Sequence, residues 1–344
     1  MLDNKVRYCR KALQGVSRTF ALGIELLEEP LRDEIGIAYL VCRILDTIED
    51  STELPAVDRV AMLHRAENQV FDPERFAECA VAIEALFAPP SLEGADHELC
   101  RHCGTVLAAL HDLRLEARNA MEPSVREMAR GMAETVQCEL RGEGLHLETM
   151  EDLERYCYYV AGTVGHLLTS LYALDRPAVT PEVELELRRH EVAFGLGLQV
   201  TNIIKGVTDD IGRGVSYLPL CLFRQAGISI ETLLGRPDDP RGREVVSGLA
   251  AWTLAKLDEA LEYTLALPVS ERDLRLFCGL PLAFAVRTLS LALRSTSVFS
   301  ENALKISRLE VSAIHRRMES ILGDNDRIRE LYLEERARVP VSQP

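Results

Sequence analysis

The chain has 344 residues, 47% of them hydrophobic and 27% charged, with a formal net charge of −15. That length buries a sizeable core, in one large domain or two average ones, and the composition is that of an ordinary globular protein. The acidic balance argues against nucleic acid as the main partner, because phosphate backbones are bound by clustered Lys and Arg. A phosphorylated small molecule stays open, since a metal ion can supply the missing positive charge.

No apolar h-region follows Met1, so no secretory signal is expected. No run reaches about 18 uncharged apolar residues, and the best candidate, Leu276–Leu293, is broken by Arg287. The closing residues, Arg338 to Pro344, would not anchor in a bilayer. Nine cysteines lie scattered through apolar segments without disulfide-like spacing, which fits reduced thiols in a cytoplasmic protein. His97, Cys100, His102 and Cys103 put four zinc-type ligands within seven residues. Without a distant second pair, that signal is weak.

In chain order, Asn4–Leu13 is polar with apolar points, and Ser17 can cap a helix starting just after it. Pro30 breaks the chain ahead of a helix through Tyr39 to Asp50. Ser51–Pro55 reads as a loop before a helix from about Ala56 to Val70. Pro73, Pro89 and Pro90 bracket a short helix, and an amphipathic pattern runs from His97 to Ala120. Pro123 suits the first turn of the next helix, with Val125, Met128, Met132, Val136 and Leu140 at helical spacing. Thr149 to Asp152 has the form of a capping box. It leads into Leu153–Tyr172, where small residues at 161, 162 and 165 permit close packing. A long helix follows from Glu182 to Ile204 or beyond, ended by Gly212–Pro219. Pro240–Ala266 and Leu274–Ser295 are two more, and a tail helix starts near Leu309. There are no alternating strands, no fixed repeat and no linker. The chain reads as all-α, one domain over 1–344.

Two polar stripes interrupt this apolar sequence. Tyr39, Arg43, Asp46 and Asp50 are spaced 4, 3 and 4 apart, so a helix turns all four to one face. Two carboxylates one turn apart repel by a few tenths of a kcal/mol, and a hard divalent cation such as Mg2+ reverses that sign. A solvated acidic face is the plainer alternative, but the apolar surroundings weigh against it. The second stripe is Gln199, Asn202, Gly206, Asp209 and Asp210, within an arc of roughly 100° on one helix, with Lys205 beside it. Gly206 costs about 1 kcal/mol against Ala in a helix interior. Two such helices facing across an all-α cavity would hold Mg2+ and, through it, a diphosphate. Ionising an allylic diphosphate needs that charge and apolar, aromatic walls.

With these pieces the chain resembles the squalene and phytoene synthases, which join two prenyl diphosphates head to head. The matching segments are Val16–Phe20, Tyr39-x-x-x-Arg43-x-x-Asp46-x-x-x-Asp50, Arg130–Glu134, Tyr156–Gly162, Gln199-x-x-Asn202-Ile-Ile and Leu276–Pro281, spread from about Tyr8 to Ser307. Tyr156–Gly162 and Phe277-Cys-x-x-Pro281 look more like squalene synthase. The resemblance implies an isoprenoid synthase-type helical bundle with a central cavity. Asp46 and Asp50 would be Mg2+ ligands, as would Asn202 and Asp210 in the second motif. Arg18, Tyr39, Arg43 and Lys205 would contact diphosphate, with Phe20 and Gln199 also at the substrate. Tyr156 would lie near the departing diphosphate and Tyr217 would line the same site. Lys305 and Arg308 fall where squalene synthases carry basic residues for NADPH. Farnesyl diphosphate is the implied substrate and squalene or a related C30 compound the product, with peripheral membrane contact for its release.

The departures are as informative. The aspartate that follows Asn-Ile-Ile-Arg in the family is Gly206 here, so Asp209 would have to compensate. The family arginine two residues before Tyr217 is Val215, with Arg213 nearby. A diverged terpene cyclase, a transferase with another acceptor, or a non-catalytic partner protein are the alternatives. Without the resemblance, Tyr156, Tyr158 and Tyr159 would read as core aromatics, His166 as a satisfied rim histidine and Trp252 as core.

Overall fold

The computed structural model describes residues 4–89, 91–140, 147–212, 215–294, 299 and 305–340, the side chains of Arg18 and Thr19 excepted. Every regular element among these residues is a helix, the one departure being an isolated bridge residue at Ser216. The all-α expectation holds. The chain divides into two compact units, Met1–Glu143 with His166–Thr180, and Gly144–Gly165 with Pro181–Pro344.

The first unit is built around α3. It opens with α1 (Asn4–Val16) and α2 (Arg18–Glu25), the latter capped by Ser17, whose hydroxyl accepts from the Phe20 amide. Then comes α3 (Leu31–Asp50), with Asp33 and Glu34 in its first turn, where carboxylates complement the helix dipole. α4 (Ala56–Gln69), α5 (Phe76–Leu86), α6 (Ala95–Arg101), α7 (Cys103–Asp112) and α8 (Leu115–Leu140) follow. α3 packs against α1, α4, α6, α7 and α8. Leu31, Ile35, Ile37, Leu40, Val41, Ile44, Leu45 and Ile48 are all buried there, each contributing about 1.5–3 kcal/mol of hydrophobic stabilisation.

Two boundaries differ from the sequence expectation. The stretch 97–120 is three helices, broken at His102, whose ring nitrogen meets the Glu98 carbonyl at 3.0 Å, and again at Leu113–Arg114. Pro123 does not start a helix; it lies inside α8. Proline removes the amide that would bond the carbonyl four residues back. Pro123 and Asn119 are both exposed, so water can take that carbonyl and the helix continues.

Arg114 ties α3 to the far end of α10 (Thr163–Asp175). It donates to Glu34 through Nε at 2.7 Å and Nη2 at 3.2 Å, and also ion-pairs with Asp175. Burial, with Asp175 alongside, outweighs Arg114 and pushes the Glu34 carboxyl up to about 7. Between about pH 4.5 and 7 the folded state therefore binds a proton that the unfolded chain has released. Stability from this group is complete below the unfolded value and is lost as pH rises through the folded one. Relative to Glu34→Gln, the natural protein is expected to lose about 3 kcal/mol across that window. Denaturant titrations of both proteins at pH 4.5, 6 and 7.5 check this; parallel profiles would rule it out.

The second unit begins with α9 (Met150–Cys157), which carries the expected capping box between Thr149 and Asp152. It runs straight into a π-turn, Tyr158–Gly162, a distortion the helical periodicity did not announce. A π-turn absorbs one extra residue in a helix and is frequent at functional sites. Here it lets the backbone meet α11 (Pro181–Gly212) with no side chain between. A Cβ on Gly195 would lie 2.2 Å from the Ala161 carbonyl oxygen, and one on Gly165 2.1 Å from that of Glu191.

The rest of this unit is α12 (Leu220–Gln225), α13 (Ile230–Gly235), α14 (Pro240–Ala266), α15 (Arg272–Arg294), α16 (Arg308–Ile321) and α17 (Asn325–Ala337). α14 packs on α11 and α15, and α15 on α16 and α17. The single tail helix expected from Leu309 is two. The first ends at Ile321, and Asp324 caps the second by accepting from the Arg327 amide. α15 is long and apolar enough to cross a membrane, but 78% of its apolar window is buried within the protein, as in a core helix. Arg275 on α15 is fully buried. It donates to the Leu322 carbonyl at 2.7 Å, the Leu267 carbonyl at 2.6 Å and Asn325 Oδ1, and burial lowers its pKa.

Candidate active-site residues

In the first unit, α3 turns one face to the core and leaves Tyr39, Arg43, Asp46 and Asp50 partly exposed. Arg43 is the centre of this stripe. Its Nη1 donates to Asp46 Oδ2 at 2.5 Å, its Nε to Asp96 Oδ1 at 2.8 Å and its Nη2 to Asp96 Oδ2 at 3.0 Å. Burial opposes the guanidinium charge, but hydrogen bonding to Asp96 and the charge of Asp46 outweigh it, so Arg43 is held firmly cationic. Phe20 packs on Tyr39 with ring centroids 5.7 Å apart. Burial raises the Tyr39 phenol despite a hydrogen bond with Ser17. The side chain of Arg18 lies outside the described residues, as does Arg213.

Beneath the stripe is a layer the sequence did not reveal. Glu49 is buried, and among the described residues neither of its carboxylate oxygens has a hydrogen-bond partner. Burial, with Asp50 and Asp46 alongside, pushes its carboxyl well above the usual range. Buried Arg59, from α4, donates to the Glu49 carbonyl at 2.5 Å and pairs with Glu139 of α8. A cation at that carbonyl complements the negative end of α3, where the two aspartates sit. Asp96 and Arg59 were not foreseen because each is close only in space: 53 residues separate Asp96 from Arg43, and 10 separate Arg59 from Glu49. The sole local hint was Gly94 before an acidic helix start.

In the second unit, Tyr156 and Tyr217 are brought together. Both are buried, and their rings stack at 4.8 Å with planes 23° apart. Tyr158 and Tyr159, on the π-turn, are only half-buried and meet edge to face at 5.6 Å. On α11, Asn202, Lys205 and Asp209 are exposed, while Gln199, Gly206 and Asp210 are half-buried. A Cβ on Gly206 would meet only Asp210 Oδ2, at 3.6 Å, an ordinary contact, so the position accepts a side chain. Lys305 and Arg308 are exposed at the start of α16, a helix that packs chiefly on α15 and α17.

The donors on both stripes are oxygens, the set Mg2+ prefers. Among the described residues no three or more His, Cys, Asp or Glu form a closed metal cage. Mg2+ does not need one, because it keeps several waters and takes one or two carboxylates plus substrate phosphate. Asp46 and Asp50 fit that requirement. In the weak zinc cluster, Cys100 and Cys103 are buried and burial raises both thiols, which disfavours the metal-binding thiolate. The start of α16 suits NADPH phosphate poorly among the described residues: Ser307 and Glu310 already cap it reciprocally, and Lys305 and Arg308 are both exposed.

The squalene/phytoene synthase family profile matches residues 13–310. The chain is 28% identical over 296 residues to squalene synthase 1 of Arabidopsis thaliana, covering 85% of this chain and 66% of that protein. It is 28% identical over 304 residues to squalene synthase of Schizosaccharomyces pombe, covering 88% and 62%. It thus spans somewhat less than two thirds of these relatives' length. Among solved structures, TcSQS in complex with a ligand superposes with a TM-score of 0.79 over 98% of both chains, at 24% identity. A dehydrosqualene synthase with ligand gives 0.66 over 92% of this chain and 96% of that one, at 20% identity. At such identities the structural likeness is one of fold.

Proposed function

The chain belongs to the squalene/phytoene synthase family, and from that premise we propose that it joins two farnesyl diphosphates head to head, through a cyclopropyl diphosphate, to squalene or a related C30 product. One observation carries this reading above the others. α3 is packed into the core, yet keeps Arg43, Asp46 and Asp50 on a partly exposed stripe, with the arginine held in place by two carboxylates. A helix with no catalytic demand gains nothing from placing repelling carboxylates one turn apart.

The division of labour follows from the side chains. Asp46 and Asp50 would hold Mg2+, which when bound supplies positive charge to the departing diphosphate. Arg43 brings a permanent cation to the same stripe. Its planar fork suits phosphate oxygens. Phe20 and Tyr39 form an aromatic flank beside it. On α11, Asn202, Asp209 and Asp210 would form the second ligand set, with Lys205 and Gln199 toward diphosphate. The stacked Tyr156 and Tyr217 would offer aromatic faces that favour cationic carbon. Among the described residues, Lys305 and Arg308 are exposed beside a helix start already capped by Ser307 and Glu310, which does not fit NADPH phosphate. A cytoplasmic protein releasing an apolar product at a membrane surface also fits Leu22 on α2, which is 60% exposed.

Gly206 favours a second reading, a terpene cyclase or a transferase with another acceptor, because a ligand position has no donor. Incubating the purified chain with farnesyl diphosphate and Mg2+, with and without NADPH, then mass analysis of the lipid extract, decides between them. A C30 hydrocarbon or alcohol is expected; C15 products alone would favour the second reading. Unchanged substrate with no Mg2+-dependent diphosphate binding would sink both. In the same assay Gly206→Asp is expected to raise C30 turnover, by about tenfold if the added ligand is worth roughly 1.4 kcal/mol. A loss would mean the glycine belongs to a different design.

A further inference from the structure

We propose that Asp96 is a positioning residue for Arg43: it grips two of the three guanidinium nitrogens so that the third stays aimed at the α3 carboxylate stripe. The inference rests on the reading of that stripe as a diphosphate site and goes one residue beyond it. The geometry is specific. Asp96 accepts from Nε and Nη2 through its two oxygens, at 2.8 and 3.0 Å, while Nη1 reaches Asp46 at 2.5 Å. Arginine carries large rotamer freedom, and a fork-on-fork carboxylate pair is the arrangement that removes most of it.

Asp96 is itself held. It lies in the first turn of α6, where the helix dipole favours a carboxylate, and α6 packs directly on α3. The turn into α6 is made by Gly94 at φ 121°, a conformation other residues adopt only with strain. A surface ion pair of two long, solvated side chains does little. This one differs, because Arg43 and Asp96 are only 33% and 38% exposed and both oxygens of the aspartate are used. The trio of Arg43, Asp46 and Asp96 carries a formal charge of −1, so the single cation does not depend on Asp46 for a partner. When Asp46 is engaged elsewhere, Asp96 still holds Nε and Nη2. Nη1 then keeps its direction and is available to a diphosphate oxygen.

The test is a double-mutant cycle on the full chain, read by calorimetric titration with inorganic diphosphate at saturating Mg2+, and in parallel by turnover of farnesyl diphosphate. Asp96→Asn is expected to weaken diphosphate binding and lower kcat by about 10- to 100-fold, as for residues that orient a ligating group. In an Arg43→Gln background the same change is expected to cost less than about twofold, because its target is gone. Asp96→Glu, which keeps the charge and both oxygens, is expected to recover part of the loss. Melting temperatures within a few degrees of the natural protein separate this role from a structural one. Equal losses in both backgrounds, or no loss in the natural one, would overturn the assignment while leaving the proposed function intact. If the natural protein binds no diphosphate in the presence of Mg2+, the proposed function falls and takes this assignment with it.

Discussion

Replacing Asp50 by asparagine is expected to lower the turnover of farnesyl diphosphate by about 10²–10³-fold, the scale of losing one preorganised electrostatic contact to a leaving group. The fold is expected to be untouched. Asparagine keeps the volume and one oxygen, and Asp50 is half-exposed at the end of α3. Stability is expected to stay level or rise by a few tenths of a kcal/mol, because a like-charge pair one turn apart is relieved. That opposition of sign is the diagnostic part. A carboxylate kept for structure loses stability and activity together on neutralisation; one kept for chemistry loses activity alone. Turnover and thermal denaturation of the variant check both signs, and unchanged turnover with a lowered melting temperature would remove Asp50 from the proposed site.

Arg275→Met is expected to be the most destabilising single change outside the stripes, by about 3–5 kcal/mol. The arginine is fully buried, and its donors satisfy the carbonyls of Leu267, just past the end of α14, and of Leu322, just past the end of α16, together with Asn325 at the start of α17. Methionine fills much of the space but leaves those acceptors without donors, and each buried unsatisfied group costs about 1–3 kcal/mol. The melting temperature is expected to fall on the order of 10 °C. Arg275→Lys, which can reach some of the carbonyls, is expected to lose less. A fall of under about 1 kcal/mol in denaturant titration for Arg275→Met would show that water or relaxed helix ends satisfy these groups.

Most of the helical fold was legible because helices are local. Pro240–Ala266 emerges with the same ends that the pattern predicts, and Asp239 caps its start by accepting from the Arg241 amide. The α3 stripe was legible for the same reason: periodicity alone sets Tyr39, Arg43, Asp46 and Asp50 on one face. What was hidden needed a neighbour. Pro123 stays inside α8 because its surroundings are wet. The π-turn at Tyr158–Gly162 goes with a backbone approach to α11. Asp96 and Arg59 reach the stripe from other helices, and no spacing along the chain connects them to it. The gap at Gly206 was legible as a departure from a pattern, whereas the room around it was a matter of packing.

The crossing of α11 over the π-turn has a mechanical side. Between most packed helices, side chains act as compliant spacers that rearrange to absorb small displacements. At Gly195 and Gly165 there is no spacer: carbonyl groups rest directly on glycine Cα atoms. A displacement of α11 at Gly195 would therefore bear directly on the backbone of the turn that follows Tyr156. Gln199 is one helical turn beyond Gly195 on α11 and Tyr156 two residues before the π-turn. The spacing between the Gln199–Asp210 stripe and that tyrosine is therefore set by backbone thickness, a length that substitutions among the surrounding apolar side chains leave unchanged.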